Sequence, residues 1–395
     1  MSEDTSRYAE RGISSGKEAV HKATGNLDKG LFPGAFCFIF PDLAGDPEYG
    51  SIQHVDGAGT KSSLAYLAAL EGSSVKKVWA GIAQDGLVMN VDDVGCVGAF
   101  RRMHISQIIG RNRFVISDEA IEAIIAGCKE FCDLLNRLDF DLVYVSGETA
   151  DLPDLIRTVT VDNAVSTRIK LTDVIDASRM TPGDIIVGFS STGQAFWENE
   201  PNSGMGANGL TNGRHDTLSP YYRTVTESYS PEMPAGLAYR GIYRLTDPLP
   251  GDKRFTVGSA LLSPTRTYLP LIRKLLELIP REHVHGLIHC SGGGQTKIKK
   301  FGRPGNLYVK DNLFPVPPLF AMLQEVSGLP WEQMFAAYNM GHRLEIVIPA
   351  EFEEMCHIAA SWANLEAQRI GHVEQNVSAE STGVIIKSPV GVFRY

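Results

Sequence analysis

His54-Val55-Asp56-Gly57-Ala58-Gly59-Thr60-Lys61 is the stretch from which the rest of the chain is read. Before it, Ile52-Gln53-His54-Val55 alternates apolar and polar residues as a short strand does. After it, Leu64, Leu67 and Ala68 recur at helical spacing within the run 62–70. The motif is therefore a strand-to-helix turn. Gly57 and Gly59 let the backbone bend tightly and approach a ligand closely, Thr60 and Lys61 can donate to phosphate oxygens, and Asp56 can hold a divalent cation. It is not a P-loop, because no glycine stands at the Walker position and Thr60 precedes Lys61. Taken alone, such a turn fits plain packing as well as nucleotide-phosphate binding.

Further carboxylates stand near other predicted strand ends. From Leu87, positions 87, 91, 94 and 98 trace one helical face, and Asp92 and Asp93 fall off it, so both are expected to be displayed to solvent. Residues 116–138 carry a second helical pattern, and residues 140–145 (FDLVYV) read as a strand ending at Ser146-Gly147-Glu148-Thr149-Ala150-Asp151. If Asp56, Asp92 with Asp93, and Glu148 with Asp151 converge, like charges about 4 Å apart repel by roughly 4 kcal/mol each at an effective dielectric of about 20. Cations would relieve that repulsion, and an oxygen-only ligand set suits Mg²⁺ bridging to phosphates.

With 395 residues, 43% of them apolar, the chain can bury the cores of two domains. Thirty-seven basic against forty-six acidic residues leave a net charge of -9, which repels nucleic acid and anionic membranes. Six cysteines include no CxxC pair, the N-terminus has no charged-then-apolar leader, and no run of eighteen apolar residues occurs. A cytoplasmic protein with free thiols is expected. Cys128 and Cys132, four apart on a predicted helix, could share a metal, but no second Cys/His pair at zinc-finger spacing accompanies them, and buried thiols are the expectation.

Residues 1–29 read as a partly ordered arm and 31–40 as a strand-like run broken by Pro33-Gly34. After Leu171 the character changes to a turn at 178–183 and a buried strand at 184–189, placing a domain boundary between 1–171 and 172–395. The polar stretch 194–202 reads as a surface lid. Gly204-Met205-Gly206-Ala207-Asn208-Gly209 fits GxGxxG, yet loop residues precede it where a dinucleotide fold needs a strand. An anion-binding turn or a flexible loop is left. Residues 284–290 form a strand ending in Ser291-Gly292-Gly293-Gly294, whose amides make a phosphate site, with His285 and His289 as core or supporting residues. Strands at 344–349 and 383–386 flank a helix around 351–365, so the second half mixes α and β.

Together these segments resemble the aminoimidazole ribonucleotide synthetase family of purine biosynthesis, the formylglycinamidine ribonucleotide cyclo-ligases. The matching elements are DGAGTKSSLA (56–65), VDDVGCVGA (91–99), SGETADLP (146–153), TPGDIIVGFSSTG (181–193), ANGL (207–210), SPTRTY (263–268), VHGLIHCSGGG (284–294) and YNMGHRLEIVIP (338–349), in family order. The resemblance implies a two-domain α+β and α/β protein whose N-terminal sheet forms a barrel across a homodimer, with a mixed α/β C-terminal domain. ATP and Mg²⁺ would lie in the cleft between domains beside a nucleotide substrate. It also implies ring closure by phosphorylation of the formamide oxygen and attack by the amidine-side nitrogen, which is chemistry of positioning and charge stabilisation.

Carried over by position, Asp56, Asp92, Asp93 and Glu148 would hold metal. Asp56, Gly57, Gly59, Thr60, Lys61, Glu148, Thr149 and Gly292 to Gly294 would bind nucleotide, and Lys61, Asp93 and Asn208 would serve catalysis. Three departures stand out: Gly206 where bacterial members carry histidine, Asp92 where asparagine is usual, and the apparent insertion 194–202. A thiamine-monophosphate-kinase-like enzyme and a nucleotide-binding paralogue without turnover are the competing readings.

Overall fold

The computed structural model describes residues 7–13, 18–376 and 382–395. After α1 (Arg7–Glu10) and α2 (Glu18–Thr24), the first half runs β1 (Ile39–Pro41), β2 (Tyr49–Gly57), α3 (Lys61–Leu70), α4 (Val75–Cys96), β3 (Met103–Arg111), α5 (Asp118–Arg137), β4 (Leu142–Asp151) and β5 (Val159–Lys170). The five strands form one sheet in the order β1-β2-β5-β3-β4, parallel between β3 and β4 and antiparallel elsewhere. Ile52, Ile105, Ile109, Val161 and Val165 bury its inner face beneath α4 and α5. Helix α5 has a one-sided design. Ser117 caps Ala120 N–H, Asp118 and Glu119 sit in the first turn and Arg137 in the last, and Ile121, Ile124, Cys128, Phe131 and Leu135 make its buried stripe.

The second half contains β6 (Ile185–Ser190), the two-residue pair β7 (Thr192–Gly193) and β8 (Asn202–Ser203), α6 (Leu210–Thr217), α7 (Val257–Leu261), α8 (Leu269–Leu278), β9 (Gly286–His289) and β10 (Asn306–Lys310). These are followed by α9 (Pro318–Ser327), α10 (Trp331–Ala337), β11 (His342–Ile348), α11 (Glu353–Trp362), β12 (Ala367–Gln375), β13 (Gly383–Ser388) and β14 (Gly391–Arg394). Seven strands make a mixed sheet in the order β14-β13-β10-β12-β6-β11-β9. Strand alternation splits its faces. Ile185, Val187 and Phe189 pack with α8 and α11, while Ile186 joins Phe320, Leu323 and Phe335 on the other side.

Helix α4 departs from the sequence-based expectation. Every residue from Asp85 to Cys96 is buried, because β2 and β5 lie on one side and α8 and β9 on the other. The stripe through 87, 91, 94 and 98 suits a helix with one wet face; this helix has two walls, and Asp92 and Asp93 are inside. Strand β4 also runs through Asp151, pairing with β3 along its whole length, so Glu148 and Thr149 are exposed edge-strand residues rather than loop residues. The 31–40 run yields only β1. Residues 194–202 are a packed corner instead of a lid: Trp197 is buried, and Glu198 pairs with buried Arg266 at 2.6 Å. The N-terminal arm is docked by Arg11, whose guanidinium bonds Asp216 at 2.7 Å and Asn212 at 2.6 Å. All six cysteines are buried free thiols, and among the described residues no helix is long and apolar enough to cross a membrane.

Candidate active site between the two domains

Three glycine-bearing turns meet where the halves join. Strand β2 delivers Asp56, Gly59 and Thr60 to the surface, and Thr60 Oγ1 lies 2.8 Å from Thr211 Oγ1 at the start of α6. Just before α6, Asn208 Nδ2 stands 3.9 Å from Met89 Sδ on α4, and its Oδ1 is 3.5 Å from where a Cβ on Gly292 would sit. Gly209 and Gly293 hold φ of 78° and 101°, and the turns need that left-handed backbone to bring their amides toward the junction. The GxGxxG segment follows only the two-residue β8, so it is a turn between elements and not a dinucleotide fold.

Beneath these turns, α4 fastens the domains together. Asp85, Asp92 and Asp93 share a helix face at i, i+7 and i+8, and all three reach into the second domain. Asp85 Oδ1 accepts from Thr265 N at 2.7 Å, Thr265 Oγ1 at 2.5 Å and Lys61 Nζ at 2.9 Å. Asp92 accepts from Thr267 Oγ1 at 2.5 Å and Tyr268 N at 2.7 Å. Burial pushes its carboxyl up, while His289 and those two donors oppose the rise. Asp93 Oδ1 lies 2.7 Å from His289 Nδ1, and its Oδ2 lies 3.5 Å from His54 Nε2. His54 also meets Asn90, whose amide donates to the Asp56 carbonyl at 3.0 Å, so α4 braces the very turn that carries Asp56.

Several expectations are corrected by this geometry. Lys61 is wholly buried, with Asp85 and the Ser263 carbonyl, 2.6 Å away, as its partners, and is not displayed on the turn as a phosphate donor would be. Asp92 and Asp93 are engaged across the domain seam rather than displayed, and Glu148 lies on the far edge strand of the sheet. Among the described residues no three His, Cys, Asp or Glu side chains gather as a metal site. Asp56 and Asp162 are neighbours in charge only, because the register sets Asp56 opposite Asn163 and Gly57 opposite Asp162, on alternate faces of the sheet. Gly57 faces Asp162 across the β2–β5 ladder so closely that a Cβ there would run into Asp162 Oδ1. Half-buried Asp162 has its carboxyl pushed up, first by burial and then by the Asp56 charge. Sequence reading passed over Asp162 because it stands mid-strand with no turn or glycine beside it.

Behind the 291–294 turn lies a second buried ionic group. Lys310 Nζ donates to the Gln295 carbonyl at 2.6 Å and pairs with Glu345, which also meets His342 Nε2 at 3.0 Å. Burial alone would raise the Glu345 carboxyl, but Lys310 and His342 hold it down to about 2. The group thus anchors Gln295, next to Gly294, where a Cβ would stand 2.5 Å from the Tyr338 carbonyl.

Residues 37–166 match the family described as AIR synthase related protein, N-terminal domain. The chain is 26% identical over 340 residues to the phosphoribosylformylglycinamidine cyclo-ligase of Methanococcus vannielii, covering 85% of this chain and 82% of that protein. It is 28% identical over 353 residues to that of Methanocaldococcus jannaschii, covering 88% and 85%. Among solved structures, a chain of a HypE-HypF complex aligns with a TM-score of 0.54 at 14% identity, covering 96% of this chain and 98% of that one. The tt0281 protein of Thermus thermophilus aligns at 0.52, also with 14% identity, covering 94% and 97%. These structures share the two-domain mixed α/β fold.

Proposed function

From a chain that carries an AIR-synthase-related N-terminal domain and is a relative of the phosphoribosylformylglycinamidine cyclo-ligases, we propose ATP-dependent ring closure of formylglycinamidine ribonucleotide to aminoimidazole ribonucleotide. The observation that carries this reading is the Thr60–Thr211 contact, which sets the Asp56 turn of one domain against the turn of Asn208 in the other. A reaction that brings a triphosphate to a second nucleotide needs two binding turns facing one gap. ATP transfers its terminal phosphoryl group to the formamide oxygen; the amidine-side nitrogen then attacks that carbon, and phosphate leaves with the oxygen. ADP, phosphate and the closed ring are the products.

The amides of Gly59 and Thr60 and the Thr60 hydroxyl face the triphosphate, since Gly57 N–H and Ala58 N–H are spent on Asp56 and the Val161 carbonyl, and the Asn208 amide with the backbone of 291–294 holds the substrate side. Mg²⁺, which would neutralise phosphate charge, would be held by Asp56 at the mouth of the turn, since this ion takes one or two carboxylates beside phosphates and water. Asp93 acts through His289 as a positioning residue. Glu148 and Thr149, exposed on β4, belong to the same reading only through the subunit partner.

That partner is a second copy in a cytoplasmic homodimer. The outer face of the N-terminal sheet leaves Val55, Ile108, Val143 and Val145 exposed at 64%, 54%, 44% and 50%, and β4 presents an open edge. Pairing two such sheets into a barrel removes both liabilities. Sedimentation at micromolar concentration is expected to give the mass of two chains, and a monomer there would remove the barrel.

The function is tested by ADP release. Turnover is expected only with formylglycinamidine ribonucleotide and Mg²⁺ together. It should fall by about 10²-fold in Asn208→Ala, and Asp56→Asn should need more Mg²⁺ for half-maximal rate. ADP release indifferent to that nucleotide, or none at all, would overturn the assignment.

A further inference from the structure

The geometry points to Arg343 as the guanidinium that receives a phosphate oxygen at this site, a role that rests on the nucleotide chemistry placed between the three turns. Arg343 lies on β11, where the register against β6 slips between His342 and Leu344, so it is the extra residue of a bulge. Bulges re-aim a side chain out of the ladder, and they recur beside active sites. The Arg343 carbonyl still accepts from Cys290 N at 2.7 Å, holding the bulge to the strand that leads into the 291–294 turn.

The side chain is 2% exposed. One edge is fixed, because Nη2 donates to the Arg266 carbonyl, and the guanidinium centre stands 5.5 Å from the Tyr268 ring. Its Nε is buried without a partner, and Nη1 lies 3.3 Å from where a Cβ on Gly206 would be. Glycine at 206 thus leaves the room that the guanidinium uses. Arg343 lines one small cavity with Gly206, Asn208, Ser291 and Asn339, which includes residues of two of the three turns.

No carboxylate pairs with Arg343 among the described residues. Neighbouring Arg266 has Glu198 at 2.6 Å, whereas the acids nearest in influence to Arg343, Asp92 and Asp85, are held by Thr267, Tyr268, Lys61 and Thr265. A buried cation without a counter-charge is costly to fold, and the cost is offset when a ligand brings the anion. A planar fork with free N–H groups suits a tetrahedral phosphate, which it can bind through two oxygens. That phosphate is either the monoester of the nucleotide substrate or the phosphoryl group in transfer, and kinetics separate the two.

The test uses the full chain and its Arg343→Met variant. Inorganic phosphate is expected to raise the Tm of the parent and to leave that of the variant unchanged. With substrate and ATP, a monoester role predicts a rise of tenfold or more in substrate KM at nearly constant kcat. A role in transfer predicts a fall of about 10²–10³ in kcat with both KM values retained. Should the methionine variant not fold, Arg343→Gln, which can still donate to the Arg266 carbonyl, takes its place. Retention of the phosphate shift, with KM and kcat within about threefold of the parent, overturns the proposal and leaves Arg343 a strut for Arg266. Loss of the phosphate shift in a protein that never releases ADP in the presence of the nucleotide sustains the phosphate site and rejects the cyclo-ligase reading instead.

Discussion

Lys61→Met is expected to lower the unfolding free energy by about 3–5 kcal/mol, the scale of breaking a buried ion pair by removing one partner. The variant strands Asp85 in a dry seam, where one of its oxygens already lacks a partner, and frees the Ser263 carbonyl. Burial opposes the Lys61 charge and Asp85 restores it only in part, and a buried pair is often matched or bettered by apolar residues of similar volume. Lys61→Met with Asp85→Leu is therefore expected to recover a good part of the loss, the remainder reflecting the Thr265 N–H and hydroxyl left without an acceptor. Urea unfolding of the three proteins is the measurement. A single variant within 1 kcal/mol of the parent, the range of exposed pairs, would mean that Lys61 faces solvent after all and would return it to the phosphate side of the site.

Lys310→Met is expected to cost a similar 3–5 kcal/mol, for it leaves Glu345 charged and without its cation beneath the 291–294 turn. Its signature lies in acid. The folded Glu345 carboxyl sits at about 2, below the 4.5 of an ordinary glutamate. Its stabilisation is fully present above the ordinary value and is lost as pH falls from there through about 2. Burial lowers His342 as well, and a histidine that charges more readily when unfolded also favours unfolding as pH drops. The parent should thus lose stability steeply toward pH 2, and the variant should show a shallower acid slope from a lower plateau. Parallel curves would show that Lys310 does not hold the Glu345 carboxyl down.

The local parts of the fold were legible in the sequence. The strand, turn and helix around Asp56 to Lys61, the one-sided helix α5 and the buried strand β6 each announce themselves by a period or a glycine within ten residues or so. What escaped depends on contacts far along the chain. Lys61 reads as a phosphate donor from its place at a helix start, but Asp85 and Ser263, 24 and 202 positions away, decide where its charge goes. Asp92 and Asp93 read as displayed because a helical stripe says nothing of a second wall. Asp162 needed the β2–β5 register, and Arg343 needed a bulge, a feature that no spacing in the string LEIVIP reveals. Of the predicted site, the turns at 57–60, 208 and 292–294 do come together; the acid cluster does not.

The seam around α4 also governs how the molecule can move. A clamshell hinge between the halves would have to pull Asp85 from Thr265, Asp92 from Thr267 and Asp93 from His289 at once, each out of a setting without water to replace the lost bond. The gap between the domains therefore has fixed jaws. Traffic of ligands falls to its glycine-hinged rim, where turns can bend without disturbing either sheet.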